Sequence, residues 1–114
     1  MANNEEAYII RKGSVYKLRQ HGDPGNGMTV LVLSGDQANR ETGHIVVAPI
    51  VQGRAKLFDG NITRPDVQFR GYVHHVCLDR MRNAPEHILR HGLGSLPYAE
   101  MAAVEAALCR LLEL

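Results

Sequence analysis

Two short segments of this 114-residue chain carry side chains that could act on a phosphate ester. They are Arg19, His21 and Asp23 around a turn, and Asp79, Arg80 and Arg82 after an apolar stretch. Cleavage of RNA without a metal ion requires a base for the 2′-hydroxyl proton, a cation beside the charged phosphorane and an acid for the leaving 5′-oxygen. Imidazole, carboxylate and guanidinium groups can fill these roles. Taken on residue types alone, however, such clusters are more often solvated loops with surface ion pairs.

The histidines do not predict a metal site. His74 and His75 are neighbours on a predicted strand and point to opposite faces, so we expect one in the core and one on the surface. His87 and His91 could share a helix face, but no carboxylate stands at ligand-like spacing and Gly92 ends that helix. Phosphate-binding loops, dinucleotide fingerprints and nucleophile elbows are absent from the sequence. We therefore predict neither a metal nor a cofactor.

Composition and charge limit the class of protein. A chain of this length with 45% hydrophobic residues predicts a single domain over residues 1–114. It has no long apolar run and a polar, acidic N-terminus, so we expect a cytoplasmic protein with no membrane contact. Cys77 and Cys109 lack CxxC spacing and are predicted to be two buried free thiols. Residues 11–90 carry twelve Lys/Arg against seven Asp/Glu, which is compatible with a phosphate-bearing partner.

The predicted fold is built around one apolar stretch. His44 to Val51 is rich in β-branched and small apolar residues, which is typical of a strand buried on both faces. Val30 to Leu33 predicts a neighbouring strand, and the polar residues 34–43 between them could form a short helix. Because proline lacks an N–H donor, we expect the central strand to end or bulge at Pro49 and to expose residues 50–52 at a sheet rim.

The rest of the chain predicts further strands and two helices. A half-buried strand is expected within residues 8–20, a turn at 21–27, a hairpin turn at 59–61 and a last strand at 71–81. A short helix is expected from Ala84 to Arg90, closed by Gly92 and Gly94.

The main helix is expected to begin at Ser95-Leu96-Pro97 and to pack one apolar stripe on the sheet. That stripe consists of Met101, Val104, Leu108, Leu111 and Leu112. With about five strands first and the main helix last, the predicted class is α+β, as a curved antiparallel sheet or small SH3-like barrel with a C-terminal helix.

The order and spacing of several segments resemble the MazF/PemK/Kid toxins of toxin–antitoxin modules, whose fold is CcdB-like. The similar segments are Lys12 to Tyr16, Val30 to Asp36 followed by Asn39, Thr42 and Gly43, Ile45 to Ile50, Leu78 to Arg82, and Leu93 to Leu114. The resemblance implies a small dimeric endoribonuclease that cuts single-stranded mRNA and is held by a cognate antitoxin peptide. It also implies the alternative of a related binding protein that acts on gyrase or an antitoxin without cleaving RNA.

The chain departs from the family pattern where the family does its chemistry. Met28-Thr29 stands where the family usually has arginine and proline, and Val51 stands in place of the usual threonine. Under the nuclease interpretation Arg19 or Arg82 would be the cation and His21 or Asp79 the base. The residues expected to bind RNA are Lys17, Arg54, Lys56 and Arg80.

Overall fold

The sheet is organised around one long strand that has hydrogen-bonded neighbours on both edges. A computed structural model describes residues 9–18, 27–55 and 63–114 of the chain. These ranges contain seven strands, β1 (Ser14–Leu18), β2 (Thr29–Val32), β3 (His44–Gln52), β4 (Asp66–Phe69), β5 (Tyr72–Val76), β6 (Arg82–Pro85) and β7 (Leu89–Ser95). They also contain the helices α1 (Asp36–Thr42) and α2 (Tyr98–Leu112) and 3-10 helices at Leu78–Arg80 and Glu86–Ile88.

All strand pairings in the described ranges are antiparallel, in the order β4-β5-β3-β2-β1-β7, and β6 pairs with β3. The sheet curls, so that a Cβ atom placed on Gly94 in β7 would lie 3.5 Å from the Phe69 ring in β4. Three of the expected strands, β1 to β3, lie where the sequence predicts them, as do the short helix α1 and the C-terminal helix. The α+β class with a curved antiparallel sheet and a C-terminal helix is therefore confirmed.

Apolar residues fill both sides of the sheet. On the side covered by α2, the buried residues come from the strands and from the helix stripe: Val15, Leu31, Ala48, Ile50, Val67, Phe69, Val76, Met101, Val104 and Ala107. On the opposite side they are Leu18, Val30, Val32, Ile45, Val47, Ala84 and Leu89. β2 and β3 contribute to both clusters, which is why their sequences read as nearly continuous apolar runs.

The expectation that β3 ends or bulges at Pro49 is wrong. β3 continues to Gln52, and Pro49 lies where one edge of the strand changes partner. His44 to Val47 pair with β6, whereas Ile50 to Gln52 pair with β5. The missing N–H of Pro49 is tolerated at this junction, and its carbonyl accepts a hydrogen bond from the Cys77 amide at 2.8 Å.

The expected last strand at 71–81 is shorter and is not the last. The strand β5 begins after a turn at Arg70 and Gly71, both of which have positive φ, and ends at Val76. It forms a hairpin with β4. A 3-10 helix at Leu78–Arg80 replaces its predicted end, because the chain must step from the β5 edge position to the β6 position beside β3.

The predicted helix from Ala84 to Arg90 is also wrong. Ala84 lies in β6, a 3-10 helix follows, and Gly92 and Gly94 lie inside β7 rather than after a helix. β7 pairs with β1 through two register shifts, and Gly94 adopts φ +137° beside Phe69. A side chain would be strained at that position. Gly94 therefore allows the irregular pairing of β7 and does not cap a helix.

The predicted hairpin turn at 59–61 lies outside the described residues. Cys77 is buried and burial raises the pKa of its thiol, whereas Cys109 is exposed, so the expectation of two buried thiols is wrong for Cys109. Among the described helices none is long and apolar enough to cross a membrane.

Asn39 is the buried polar residue that fixes α1 against the N-terminal segment. Its amide nitrogen donates to the carbonyl oxygens of Ile10 at 2.8 Å and Ser34 at 3.1 Å, and its side-chain oxygen accepts from the Ser34 hydroxyl. These bonds join α1 to the nearby Ser34 and to Ile10, 29 residues earlier in the sequence. Loss of the side chain leaves several buried groups without a partner.

We expect Asn39→Ala to lower the free energy of unfolding by about 2–3 kcal/mol, since the two carbonyls and the hydroxyl lose their partner. Urea unfolding followed by circular dichroism measures the change. Gln37→Ala on the same short helix is the matched control and should change stability by less than about 0.5 kcal/mol. Equal effects of the two substitutions would show that the Asn39 bonds do not hold α1 in place.

Candidate functional site

Four residues from adjacent strands form a row at one end of the sheet. Val30 lies opposite Pro49 in the β2–β3 register, and continuing this register by two residues places Met28 opposite Val51. Val51 is paired with His75, and His75 with Asp66. Directly opposed residues share one face of a sheet. We call Met28, Val51, His75 and Asp66 the cross-strand row.

The row faces away from α2. Ile50, the residue before Val51, is buried on the side of the sheet that α2 covers, and successive residues of a strand alternate between faces. Met28 and Val51 are 37% and 44% exposed. The two departures from the family pattern are thus neighbours in space and form an apolar surface that cannot polarise a phosphate.

His75 has a defined orientation within the row. Its Nδ1 atom lies 2.8 Å from the carbonyl oxygen of Gly53, which can only accept a hydrogen bond. Nδ1 therefore carries the proton in the neutral ring, and the Nε2 lone pair is left as an acceptor. The ring is partly buried.

A positive charge lies at the end of the row. Arg54 Nη1 is 3.3 Å from Asp66 Oδ2, and the amide of Ala55 donates to the other carboxylate oxygen at 3.3 Å. The Arg54 side chain is 75% exposed and the Asp66 side chain 24% exposed. The guanidinium is thus held near the row while most of it faces solvent. Among the predicted RNA-binding residues that the structure describes, Lys17, Arg54 and Arg80, it is Arg54 that lies beside the row.

Asp79 lies in a separate cluster. Arg64 Nε and Nη2 donate to its two carboxylate oxygens at 2.9 and 3.0 Å. These hydrogen bonds hold the pKa of Asp79 below its ordinary value and raise the pKa of Arg64. A carboxylate with both oxygens engaged by a guanidinium is a weak base near neutral pH. The proposed role of Asp79 as a base remains a prediction that this geometry does not favour.

Three other predicted residues also lie away from the row. Arg82 is paired with Val47, four residues along β3 from Val51, which is about 13 Å. Arg80 is exposed in the 3-10 helix beside Asp79. Lys17 is paired with Thr29, the neighbour of Met28, and so belongs to the other face of the sheet. Arg19, His21 and Lys56 lie outside the described residues.

The sequence interpretation did not identify His75, Gly53 and Asp66 as site residues. His74 and His75 were correctly placed on opposite faces of a strand, but both are partly exposed, so the expectation of one core and one surface histidine is wrong. Strand alternation could have indicated it, because His75 and the buried Val76 are successive residues and point to opposite faces of the sheet. Its partners could not be inferred, because Gly53 and Asp66 are distant in the sequence.

A cavity of about 450 Å³ opens on the other face of the same sheet end. Gln52, His74 and the 63% exposed Tyr72 are among its lining residues. The His74 ring meets Phe69 edge to face, with centroids 5.5 Å apart, and its Nδ1 is 3.0 Å from the Tyr72 carbonyl oxygen. Aromatic rings beside an amide can stack on a nucleobase and hydrogen bond to its edge.

In the described part of the chain, no group of three or more His, Cys, Asp and Glu residues is arranged to hold a metal ion.

Comparisons with known proteins identify the relatives of this chain. Residues 12–112 match the family model described as PemK-like, MazF-like toxin of type II toxin–antitoxin system. A search of curated protein sequences finds no match.

Solved structures share the fold over almost the full length. An endoribonuclease from a mycobacterial species, in complex with its cognate antitoxin, is 21% identical with a TM-score of 0.76, and the match covers 92% of this chain and 96% of that one. MazF from Deinococcus radiodurans is 24% identical with a TM-score of 0.72, covering 94% and 99%. A MazE–MazF structure from the same organism is 25% identical with a TM-score of 0.73, covering 94% and 99%.

The Arg64–Asp79 pair predicts a pH-dependent contribution to stability. Because the folded-state pKa of Asp79 is lowered, its contribution is present above the unfolded-state value of about 4 and is lost as pH falls below it. The pair is partly exposed, so we expect Asp79→Asn to cost under about 1 kcal/mol near neutral pH.

Urea unfolding of the wild type and the variant at neutral pH and at about pH 2.5 measures this term. The difference between the two proteins should be smaller at the lower pH, because the contribution is lost as pH falls through the lowered folded-state pKa. A difference of the same size at both values would show that the carboxylate charge is not its source.

Proposed function

This chain belongs to the PemK-like, MazF-like toxins of type II toxin–antitoxin systems, and we propose that it acts as an endoribonuclease on single-stranded RNA. The observation that carries the proposal is its fold, which follows that of a mycobacterial endoribonuclease over more than nine-tenths of both chains. Because a shared fold does not establish a shared activity, the chemistry has to be supported by this chain's own residues.

The end of the sheet formed by β3 and β5 offers two features that suit single-stranded RNA. Tyr72, His74 and Gln52 border an open cavity large enough for a nucleobase, and unpaired bases are bound in proteins by such stacking and edge contacts. Arg54 presents a mostly exposed guanidinium near the other face of the same sheet end. It can contact a backbone phosphate and stabilise the charge that develops on it.

The proposed reaction is transesterification within the RNA and does not use a metal ion. The 2′-oxygen attacks the adjacent phosphorus, the bond from phosphorus to the 5′-oxygen breaks, and the products carry 2′,3′-cyclic phosphate and 5′-hydroxyl ends. The protein has to orient the strand, accept the 2′-hydroxyl proton and stabilise the phosphorane. Arg54 has the last of these roles in our proposal.

The proposal includes three further elements. Two of the similar solved structures are complexes with an antitoxin, and we propose that a cognate antitoxin peptide also binds this chain. We propose a homodimer, since a chain of this size has a high ratio of surface to volume and exposes Leu112 and Leu114 at the end of α2. We also propose a cytoplasmic location, where messenger RNA is found.

A second candidate function is binding without cleavage. The exposed pair of Met28 and Val51 gives the cross-strand row an apolar surface, and such surfaces are often contact sites for other proteins. A member of this scaffold with that surface could act by holding gyrase or an antitoxin. The two functions differ in one observable, which is the integrity of RNA incubated with the pure protein.

We expect the purified chain, in the presence of EDTA, to cut a mixed-sequence single-stranded RNA into fragments with 2′,3′-cyclic phosphate ends. Arg54→Gln should slow cleavage about tenfold or more, which corresponds to about 1.4 kcal/mol of lost transition-state stabilisation. Denaturing gel electrophoresis and end-group analysis by mass spectrometry measure both results.

Arg110→Gln, an exposed arginine on α2, is the matched control and should leave the rate unchanged. Intact RNA after incubation with the folded wild-type chain would contradict the nuclease proposal. Recovery of a gyrase subunit on the same chain would then support the second candidate.

A further inference from the structure

We infer that His75 is the general base of the proposed cleavage, accepting the 2′-hydroxyl proton on Nε2. The inference rests on the proposed endoribonuclease function and adds a residue to it. It starts from the contact of Nδ1 with the Gly53 carbonyl oxygen at 2.8 Å. That contact fixes the ring and leaves Nε2 as the acceptor, which is the form a base requires.

The position of the ring within the sheet supports this role. His75 is paired with Val51 and so lies beside the exposed apolar pair Met28 and Val51. None of the described residues forms a hydrogen bond to Nε2. A substrate strand lying along the exposed surface of Met28 and Val51 would pass the free nitrogen.

The neighbouring charges complete the arrangement. Asp66, the cross-strand partner of His75 in β4, is engaged by Arg54 and by the Ala55 amide. The guanidinium therefore lies on the β4 side of the histidine, while the apolar pair lies on its other side. A phosphate that contacts Arg54 would place the adjacent ribose near the imidazole.

The reaction returns the histidine to its neutral form. His75 Nε2 takes the proton of the 2′-hydroxyl while the 2′-oxygen forms a bond to phosphorus. The bond between phosphorus and the 5′-oxygen breaks with its electron pair on that oxygen, which takes a proton from solvent water. The imidazolium returns its proton to the hydroxide that remains, so no other reactant is consumed.

Four other described residues are less suited to this role. The carboxylate oxygens of Asp79 are both bound by Arg64, and Met28 and Val51 have no group that accepts a proton. His87 is exposed in the 3-10 helix before β7 and outside the cross-strand row. It therefore serves as the matched control.

Two substitutions test the base. His75→Ala should lower the cleavage rate about 100-fold or more. Added imidazole should raise the rate of this variant at least about tenfold, because the free base can occupy the vacated space. His75→Asn keeps an N–H that can donate to the Gly53 carbonyl but provides no base. It should melt at nearly the wild-type temperature and remain inactive. His87→Ala should cleave at the wild-type rate, with or without imidazole.

The outcomes separate the inference from the proposed function. Cleavage by the wild type together with a His75→Asn rate within about threefold of it would overturn the base and leave the nuclease in place. Loss of activity in His75→Ala without imidazole rescue, at unchanged stability, would also overturn it. A wild-type chain that leaves RNA intact would contradict both the proposed nuclease activity and the role of His75 as its base.

Discussion

β3 changes its hydrogen-bonded partner along one edge, and the positions of the other strands and of the polar residues follow from this change. One edge of the strand pairs with β6 up to Val47 and with β5 from Ile50, and the Pro49 carbonyl between them is bound by the Cys77 amide. The other edge pairs with β2. A strand that is bonded on both edges and buried on both faces needs an apolar sequence, and residues 45–50 provide it. The 3-10 helix at Leu78–Arg80 links the two strands that share the edge.

This partner change also divides the polar residues into two groups. The Asp79 cluster lies beside the point where β5 gives way to β6, and its carboxylate is held by Arg64. The cross-strand row lies at the end of β3, where Val51 pairs with His75. The two groups are near each other in the sequence but belong to different stretches of the same edge. The row offers a free base at His75 and an exposed cation at Arg54, whereas the carboxylate of the Asp79 cluster is bound by Arg64.

The elements predicted correctly are those whose signal is local. Nearby residues determine three of these elements. They are β3 with its apolar run, α1 in the polar residues 34–43, and α2 with the helical spacing of Met101 and Val104. β7 could not be predicted in this way. Its Gly92 and Gly94 resemble helix terminators, and the strand exists because β1 pairs with it across the sheet. Arg82 to Pro85 likewise becomes a strand only through β3. Tertiary pairing outweighs local propensity at both places.

The site was harder to predict than the fold for the same reason. The sequence shows Met28 and Val51 at two positions of interest, but the residues beside them come from β5, from β4 and from the segment that follows β3. The orientation of the His75 ring is determined by the carbonyl of Gly53, 22 residues earlier in the chain. Such contacts follow from register, which a single sequence does not determine over long connections.

We propose that RNA binds across the row at the end of β3. Titration of the ¹⁵N-labelled chain with a 2′-O-methyl oligonucleotide, which binds but cannot be cleaved, tests this proposal by amide chemical shifts. We expect the largest shifts at Val51, Gly53 and His75, with the amides of the 3-10 helix at Leu78–Arg80 nearly unchanged. Shifts confined to that 3-10 helix and β6, or no shift at any RNA concentration, would contradict the claim.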